Sequence, residues 1–419
     1  MLGTMSMVSE LGLRPIVNAA GPSTRVGGHR MHPEVVAAMA EAAGLHFAID
    51  ELQERAGALI AEVTGAEAGF VTAGASSGLT LAAAAVIAGT DPVLMDRLPD
   101  TDGIPNEILV QRGHRNAYDH ALRAAGARMV EVGTQGYPGG GRTHAWQIEA
   151  GIGPGTVAIA HPVQNAPGTV GLAAVVEIAH RHNLPVIMDA AAALPPASNL
   201  RRMIAEGVDL VAFSGGKAIG GPQASGILCG RADLIRAAAL QQLDMDVDAR
   251  TWRYRSMIES DQIPGPPHHG VGRSMKVGKE QIVGLLAALL RFVAADEPAE
   301  LARQTALLER IADRLASRLG GSGSPAVVLR RPPVDGRVPY PVLAVDFGGP
   351  AGADRAAAAA RVLQDGDPPV YVSELWLDQG HLAILATTLV DAEADIVADA
   401  VIRAAAAVRS ASTASPAGG

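Results

Sequence analysis

Residues 212 to 222 read Ala212-Phe213-Ser214-Gly215-Gly216-Lys217-Ala218-Ile219-Gly220-Gly221-Pro222, which places a lysine among glycines directly after an apolar segment. An earlier apolar segment, Val186-Ile187-Met188, ends in the carboxylate of Asp189. About one strand-helix-strand unit separates Asp189 from Lys217, so parallel strands would bring both side chains to one sheet edge. A carboxylate at the tip of a buried strand needs a cationic partner or hydrogen-bond donors. These segments therefore predict a polar site at the end of a buried sheet.

The surrounding sequence repeats this pattern from residue 56 to residue 230. Short β-branched runs alternate with Ala-rich helical stretches, which is typical of βαβ units and a largely parallel, buried sheet. Helices long enough for crossover connections are predicted at 79–88, 117–125 and 173–181. The predicted strands are 69–72, 107–111, 128–132, 156–160, 185–189, 210–214 and 226–229.

The C-terminal part of the chain predicts a second, smaller α/β domain. Helical periodicity covers 276–319 and is interrupted at Pro298. Strands at 326–329, 342–346, 370–372 and 382–386 then alternate with helices at 354–363 and 392–408, and a mobile tail follows from Ser410. The predicted domains are an N-terminal arm (1–45), a large domain (46–275), a connecting helix with the small C-terminal domain (276–408) and a disordered tail (409–419).

Composition excludes several classes of protein. The chain has 419 residues, a formal net charge of -9 and 48% hydrophobic residues, which is enough for two domains with a large core. Intrinsic disorder is therefore excluded for most of it. The acidic charge argues against nucleic acid as a partner. No apolar run reaches the roughly 18 residues of a membrane span, and no signal-peptide pattern is present, so we expect a cytoplasmic protein without a membrane partner.

The cysteine and histidine content argues against a metal site. Cys229 is the single cysteine, so the chain cannot form an intramolecular disulfide and lacks thiolates for a zinc site. The 12 histidines show no metal-ligand spacing such as His-Glu-x-x-His. We therefore expect no metal.

A third segment completes a set that suits pyridoxal phosphate. Between a predicted strand and a predicted helix lies Thr72-Ala73-Gly74-Ala75-Ser76-Ser77-Gly78, whose small residues and free N–H groups favour a phosphate. In this order the lysine would form the Schiff base, and the aspartate would keep the pyridine nitrogen protonated. The loop and Ser214 would hold the phosphate. No single piece is specific, but the ordered set is.

The chain also resembles a known family over roughly residues 14 to 295. The segments that carry the resemblance are Pro15-Ile16-Val17-Asn18-Ala19-Ala20-Gly21-Pro22, Glu51-Leu52-Gln53, Thr64-Gly65-Ala66-Glu67-Ala68, Ser214-Gly215-Gly216-Lys217 and Gly220-Gly221-Pro222-Gln223-Ala224. They are similar to the selenocysteine synthase-like branch of fold type I pyridoxal phosphate enzymes, and within it to the D-glucosaminate-6-phosphate ammonia-lyase-like group. The resemblance implies an aspartate aminotransferase-like α/β fold, with a seven-stranded sheet in the large domain.

The resemblance also implies roles for individual residues. Lys217 would be the aldimine lysine, Asp189 the partner of the pyridinium, and His114 the residue that stacks on the cofactor ring. The family builds its sites at a dimer interface, so a homodimer or higher homo-oligomer is expected, with the loop 220–223 reaching the partner's phosphate. The implied cofactor contacts are Gly74, Ala75, Ser76, Ser214 and Gly221.

The implied reaction is α,β-elimination from a small amino acid or amino sugar acid. Lys217 would remove the α-proton, and a quinonoid carbanion would expel the β-substituent. Return of the proton to the other face would give a racemase, and a second substrate an aminotransferase, so these alternatives stay open. Selenocysteine synthase itself carries an additional N-terminal tRNA-binding domain that is absent from this sequence, so a small-molecule substrate is expected.

An arginine is expected to bind the substrate carboxylate. The resemblance puts it near 371–376, but this segment offers Glu374 and no basic residue occurs before His381. The remaining candidates for the substrate contact are Arg25, Arg115 and Arg273.

Alternatives of other classes remain at this point. Gly74-Ala75-Ser76-Ser77-Gly78 matches the Gly-x-Ser-x-Gly elbow of a serine hydrolase, with Ser76 as nucleophile and Asp189 and His381 as partners. That alternative leaves Lys217 unexplained. A non-catalytic oligomer would not need Lys217 either. Taken singly, Lys217 could be a surface lysine in a turn, and Asp189 could cap a helix over 190–193.

Overall fold

The computed structural model describes residues 7–136, 141–163, 166–242, 247–319, 324–332 and 338–413. The strands among them are β1 (Val17–Ala19), β2 (Ala68–Thr72), β3 (Glu107–Gln111), β4 (Arg128–Val132), β5 (Thr156–Pro162), β6 (Val186–Asp189), β7 (Leu210–Ser214), β8 (Gly226–Gly230), β9 (Ala326–Arg330), β10 (Val342–Asp346), β11 (Val370–Val372) and β12 (His381–Leu385). The α-helices are α1 (Met7–Glu10), α2 (Pro33–Ala43), α3 (Ile49–Thr64), α4 (Ala75–Ala88), α5 (Pro92–Arg97), α6 (Asp119–Ala124), α7 (Ala145–Gly151), α8 (Leu172–Arg181), α9 (Asn199–Ala205), α10 (Ala232–Leu240), α11 (Ser256–Glu259), α12 (Lys279–Ala294), α13 (Glu297–Arg318), α14 (Gly352–Gln364) and α15 (Ala394–Thr413).

The larger of two compact units comprises the described residues of Met31–Ala294. Its seven-stranded sheet has the order β2-β8-β7-β6-β5-β3-β4. Strands β3 to β7 are parallel to their neighbours, whereas β8 is antiparallel to both β7 and β2. Apolar side chains cover both faces of the sheet. The predicted α/β class and the mixed seven-stranded sheet are therefore confirmed.

Helix α4 begins four residues earlier than the sequence pattern predicts, at Ala75 instead of residue 79. Ser76, Ser77 and Gly78 are poor helix formers and hide the helical pattern in the sequence. The helix is buried along most of its length. A Cβ atom at Gly78 would lie only 3.4 Å from the Cβ of Ala212 in β7, so small residues allow the helix to lie close against the sheet. The predicted phosphate loop is thus the first turn of a buried helix.

The second unit comprises the described residues of Met1–Arg30 and Ala295–Gly419. It holds a three-stranded antiparallel sheet of order β12-β10-β9 and a parallel pair of β1 with β11. Helices α13, α14 and α15 contribute the buried apolar residues that form its core together with these strands. A small α/β unit at the C-terminal end of the chain agrees with the sequence pattern.

The boundaries of the units differ from the predicted domains. The predicted N-terminal arm is divided, because β1 pairs with β11 in the second unit while α2 packs against α12 in the larger one. A Cβ atom at Gly284 in α12 would lie 2.5 Å from the Cγ atom of Met39, so the two helices touch closely. Helix α12, predicted as a connecting helix of the small domain, therefore belongs to the larger unit.

The C-terminal helix also ends later than predicted. Helix α15 continues to Thr413, so the predicted disordered tail begins too early, and residues 414–419 lie outside the described part of the chain. Among the described residues, no helix is long and apolar enough to cross a membrane.

Candidate active site

The carboxyl ends of β5, β6 and β7 bring the predicted residues to one edge of the sheet. Pro162 of β5 is aligned with Asp189 of β6, and Asp189 is aligned with Ala212 of β7. Ser214 ends β7, and Lys217 follows it in a turn. The parallel register therefore places the carboxylate and the lysine at the ends of adjacent strands, as the sequence predicts.

A pocket with an empty volume of about 330 Å³, including its open mouth, lies at this edge. Leu79, Ile187 and other apolar side chains form part of its wall. Lys217 is not among the described residues that line this volume, although its charge interacts with that of Asp189. The polar residues of the lining are His114, Asn116, Tyr118, Asp119, His161 and Asp189.

The Asp189 carboxylate accepts a hydrogen bond from the turn that follows it. Its Oδ1 atom accepts a hydrogen bond of 3.0 Å from the backbone N–H of Ala191. Burial raises the pKa of the Asp189 carboxyl, while the Ala191 N–H and the Lys217 ammonium oppose that rise. No helix follows at 190–193, where the described chain forms a turn, so the helix-cap alternative is wrong. A desolvated carboxylate with one backbone donor retains acceptor capacity for a cationic N–H group.

Lys217 is half-buried in a tightly folded loop. A Cβ atom at Gly215 would lie 2.3 Å from the Oγ atom of Ser225, and one at Gly216 would lie 2.5 Å from the Cα atom of Gln223. Both glycines are therefore required where the loop folds back on itself. Burial lowers the pKa of the Lys217 amine, and the Asp189 carboxylate opposes this shift. A lowered pKa increases the neutral fraction of the amine, which is the form that acts as nucleophile or base.

The first turn of α4 supplies backbone donors at the same edge. Gly74 precedes the helix with a φ of +135°, a conformation that glycine adopts readily. A Cβ atom at Gly226 would lie 2.5 Å from the carbonyl carbon of Gly74, so β8 begins directly against this turn. Ala75 is buried and Ser76 is exposed. The N–H groups of a first helical turn have no partner within the helix and favour an anion.

Two buried histidines line the pocket side by side. The rings of His114 and His161 meet edge to face, with 4.6 Å between their centroids. Burial, reinforced by His161, lowers the pKa of His114 to about 4. Burial also lowers the pKa of His161, against the Pro162 and Val170 carbonyls, which raise it. Both rings are therefore neutral at pH 7.

His161 is not among the site residues predicted from the sequence. It follows directly after the predicted strand 156–160. In the structure, β5 continues to Pro162 and includes His161. A polar residue at the end of an apolar run, one register position before the residue aligned with Asp189, is the signal that could have identified it.

The three candidate arginines differ in their surroundings. In the second unit, Arg25 donates to both carboxylate oxygens of Glu374, at 2.7 and 2.6 Å. Arg115 forms ion pairs with Asp119 and Glu131 in the larger unit. Arg273 is half-buried in a short 3-10 helix, Val271–Met275. The role of each in binding a substrate carboxylate stays a prediction.

The serine hydrolase alternative gains no support from the geometry. The imidazole of His381, its predicted base, lies 3.5 Å from the carboxylate of Asp346 in the second unit, which is a different acid from the predicted Asp189. His381 begins β12, and Asp346 ends the neighbouring strand β10.

Pyridoxal phosphate fits the residues at this edge. Asp189 offers an acceptor for the pyridinium N–H, and the first turn of α4 with Ser214 offers donors for the phosphate. Lys217 offers an amine of lowered pKa for the aldehyde. The buried imidazole of His114 offers a face for a planar ring. The pyridine nitrogen, the phosphate, the aldehyde and the ring face of the cofactor thus each have a counterpart of the required type.

The chain is similar to several known proteins. The model of the family SelA, L-seryl-tRNA selenium transferase, matches residues 26–250, more than half of the chain. A 5'-C-glycyluridine monooxygenase-decarboxylase from Streptomyces sp. is 35% identical over 387 residues, which cover 90% of this chain and 86% of that protein.

A D-glucosaminate-6-phosphate ammonia lyase from Salmonella typhimurium is 35% identical over 295 residues, which cover 68% of this chain and 70% of the relative. A solved structure of a D-glucosaminate-6-phosphate ammonia-lyase matches 97% of this chain and 100% of its own, with a TM-score of 0.77 and 27% identity.

A serine palmitoyltransferase from S. paucimobilis, solved with a bound PLP-myriocin aldimine, matches 94% of this chain and 89% of its own with a TM-score of 0.54. At 13% identity this likeness concerns the fold alone. The resemblance to selenocysteine synthase-like enzymes is therefore confirmed: the chain belongs to the SelA, L-seryl-tRNA selenium transferase family, and it is a pyridoxal phosphate-dependent enzyme of fold type I.

Proposed function

We propose that this enzyme is an ammonia-lyase that acts on a hydroxylated amino acid of the amino sugar acid class. The observation that carries the proposal is the charge interaction between Asp189, at the end of β6, and Lys217, in the turn after the adjacent strand β7, near a pocket lined by Asp189 and His114. The 35% identity to an ammonia lyase named for D-glucosaminate-6-phosphate supports the substrate class.

Pyridoxal phosphate, when bound, withdraws electrons from the α-carbon of an attached amino acid and so makes the α-proton acidic. The residues of this chain prepare the site for that chemistry. Asp189 accepts a hydrogen bond from the pyridine N–H and keeps that nitrogen protonated. The N–H groups at the start of α4 and the hydroxyl of Ser214 bind the phosphate, and His114 packs against the ring.

Lys217 has two successive roles in this account. Its amine first anchors the cofactor, and once released it takes the α-proton of the substrate at Nζ. The resulting ammonium can return that proton to the departing β-hydroxyl group. The substrate thereby loses one molecule of water, and hydrolysis of its C–N bond consumes one. The net products are ammonia and a 2-keto acid with one hydroxyl group fewer than the substrate.

A second candidate function is an oxidative decarboxylation, because the monooxygenase-decarboxylase relative matches 90% of the chain. Asp189 and Lys217 would serve it equally, since it also begins with electron withdrawal from the α-carbon. It differs by consuming O₂ and releasing CO₂. Racemisation and transamination release neither ammonia nor CO₂.

The test is to incubate the purified enzyme with D-glucosaminate-6-phosphate and serine of both hands, while ammonia, 2-keto acid and O₂ are measured. We expect ammonia and keto acid in equal amounts, without O₂ uptake. We expect the Lys217→Ala variant, folded by circular dichroism, to lose about 10³-fold or more of the rate, since it lacks the base. O₂ uptake with CO₂ release would favour the decarboxylase, and hydrogen exchange at the α-carbon without keto acid a racemase.

We further propose that the enzyme is cytoplasmic and acts as a homodimer or larger homo-oligomer. In its own subunit Gly221 is buried, and its N–H donates to the Gly215 carbonyl at 2.9 Å. Its contact with the partner's phosphate stays a prediction.

A further inference from the structure

The hydrogen bonds of the two pocket histidines fix which ring nitrogen carries the proton. The hydroxyl of Thr169 donates to the Ala166 carbonyl at 2.6 Å, so its proton is committed. The Nε2 atom of His114, 3.1 Å from the Thr169 hydroxyl oxygen, must therefore be the donor of that contact. Its Nδ1 atom is then the unprotonated nitrogen of the neutral ring.

A backbone contact likewise fixes which ring nitrogen of His161 carries the proton. Its Nδ1 atom lies 2.7 Å from the Pro162 carbonyl, which can only accept a hydrogen bond. Nδ1 therefore carries the proton. The Val170 carbonyl also raises the pKa of His161, but Nε2 has no hydrogen-bond partner among the described residues and is the unprotonated nitrogen. His114 and His161 are only 3% and 2% exposed, and neither His114 Nδ1 nor His161 Nε2 has a hydrogen-bond partner among the described residues. Each buried ring thus carries an unpaired acceptor, which costs free energy.

The surrounding backbone holds this arrangement in place. The buried amide of Gln111 donates to the Val170 carbonyl at 2.8 Å and accepts from the Val170 N–H at 2.6 Å. These two hydrogen bonds hold Val170 in place, and with it the neighbouring Thr169 beside His114. A Cβ atom at Gly113 would lie 2.9 Å from the Thr169 Cγ2 atom, so glycine permits the close approach. Contacts with the surrounding chain therefore fix His114 as the Nε2–H tautomer.

We infer that His161 is a further substrate-contacting residue, and that its unprotonated Nε2, in the ring that meets His114 edge to face, accepts a hydrogen bond from a substrate hydroxyl group. This inference rests on the proposed function, whose substrate class carries several hydroxyl groups. The other ionisable groups that line the pocket, Asp119 and Asp189, are acceptors when ionised. Asp189 is assigned to the pyridine N–H and Asp119 pairs with Arg115, so the unprotonated nitrogens of the two histidines are the acceptors left for a substrate that brings donors.

The consequence is selection of a hydroxylated amino acid over its deoxy counterpart. A hydrogen bond to a buried neutral acceptor corresponds to about a three- to tenfold difference in affinity. A substrate that lacks the hydroxyl would leave His161 Nε2 unpaired in the complex.

The test uses two unreactive probes, the phosphopyridoxyl conjugates of serine and alanine, which differ by one hydroxyl group. Their dissociation constants are measured on the full-length, cofactor-stripped protein for both hands of each amino acid. We expect the serine conjugate of one hand to bind about three- to tenfold more tightly than the alanine conjugate. His161→Phe should bring this ratio to about one, His161→Gln should retain part of it, and the surface control His182→Phe should leave it unchanged.

Nitrogen-15 NMR of histidine-labelled, cofactor-free protein gives a readout that does not depend on binding. We expect His114 in the Nε2–H form and His161 in the Nδ1–H form at pH 7. The opposite tautomer of either ring, or a serine-to-alanine ratio that His161→Phe does not change, would overturn the inference while leaving the proposed function intact. If neither conjugate binds, the proposed function fails, and this inference fails with it.

Discussion

At the scale of single residues, the site depends on one carboxylate and one amine that the fold desolvates together. Asp189 ends β6, Lys217 lies in the turn that follows the adjacent parallel strand β7, and the charge of each opposes the pKa shift that burial imposes on the other. A desolvated carboxylate or amine lowers the stability of the free protein, and it contributes to function only when a ligand binds to it. The sequence could predict both residues, because Asp189 ends one apolar strand and Lys217 follows another after two glycines.

Replacement of Asp189 tests that cost. Since burial raises the pKa of Asp189 above its ordinary 3.8, its contribution to stability is largest at low pH and is lost as pH rises through the folded-state pKa. We therefore expect cofactor-free Asp189→Asn to melt at a higher temperature than wild type at pH 7, and this advantage to shrink toward pH 3. The same variant should bind pyridoxal phosphate more weakly. A lower melting temperature at pH 7 with unchanged cofactor affinity would point to a purely structural aspartate.

His161 is a pocket residue that the sequence alone did not predict. Its importance follows from which ring nitrogen is protonated, and that depends on the position of the Pro162 carbonyl beside Nδ1, which no pattern in the sequence indicates. Likewise, Arg25 and Arg115 have carboxylate partners at Glu374 and Asp119 that no spacing in the sequence indicates.

At the scale of elements, glycines determine how closely α4 and the lysine loop approach the sheet. The sequence identified the strands within one or two residues at most ends, because alternation of apolar and Ala-rich segments is strong there. The start of α4 was missed, because tertiary packing overrides the weak helix propensity of Ser76, Ser77 and Gly78.

The segment Glu51-Leu52-Gln53, part of the family resemblance, has a structural explanation at this scale. The buried Gln53 amide donates to the Val71 carbonyl at 2.9 Å and accepts from the Val71 N–H at 3.1 Å. Strand β2 lies at an edge of the sheet. Gln53 therefore satisfies backbone groups that an edge strand would leave unpaired.

Gly226→Ala tests the contact between β8 and the first turn of α4. A methyl group there would lie 2.5 Å from the Gly74 carbonyl carbon, so we expect a loss of about 1–3 kcal/mol in unfolding free energy and weaker cofactor binding. Gly153→Ala is the matched control, because an added Cβ there meets nothing within 4 Å. Thermal or denaturant unfolding measures both. Equal stability of the two variants would contradict the proposed close contact.

At the scale of the whole molecule, the chain divides into two compact units whose bounds differ from those of the predicted domains. Strand β1 and helix α2 are only a few residues apart in sequence, yet they belong to different units. Local periodicity carries no information about that choice, because the pairing of Val17 with Val370 joins distant parts of the chain.

The oligomeric state is a prediction at this scale. We expect the active enzyme to sediment as a dimer or larger assembly over the concentration range in which it turns over substrate. Analytical ultracentrifugation alongside activity measures this. A stable monomer with full activity would remove the proposed role of Gly221 and its loop.

The most direct test of the central claim is to reduce the purified enzyme with borohydride and locate the modified peptide by mass spectrometry. The chain has three lysines, Lys217, Lys276 and Lys279, so the assignment is sharp. Lys279 already donates to the Ala42 and Ala43 carbonyls at 2.7 and 2.9 Å. We predict a yellow protein that is bleached by borohydride and carries one pyridoxyl phosphate group on Lys217. A protein that stays colourless with added pyridoxal phosphate, or a label on Lys276 or Lys279, would contradict the account.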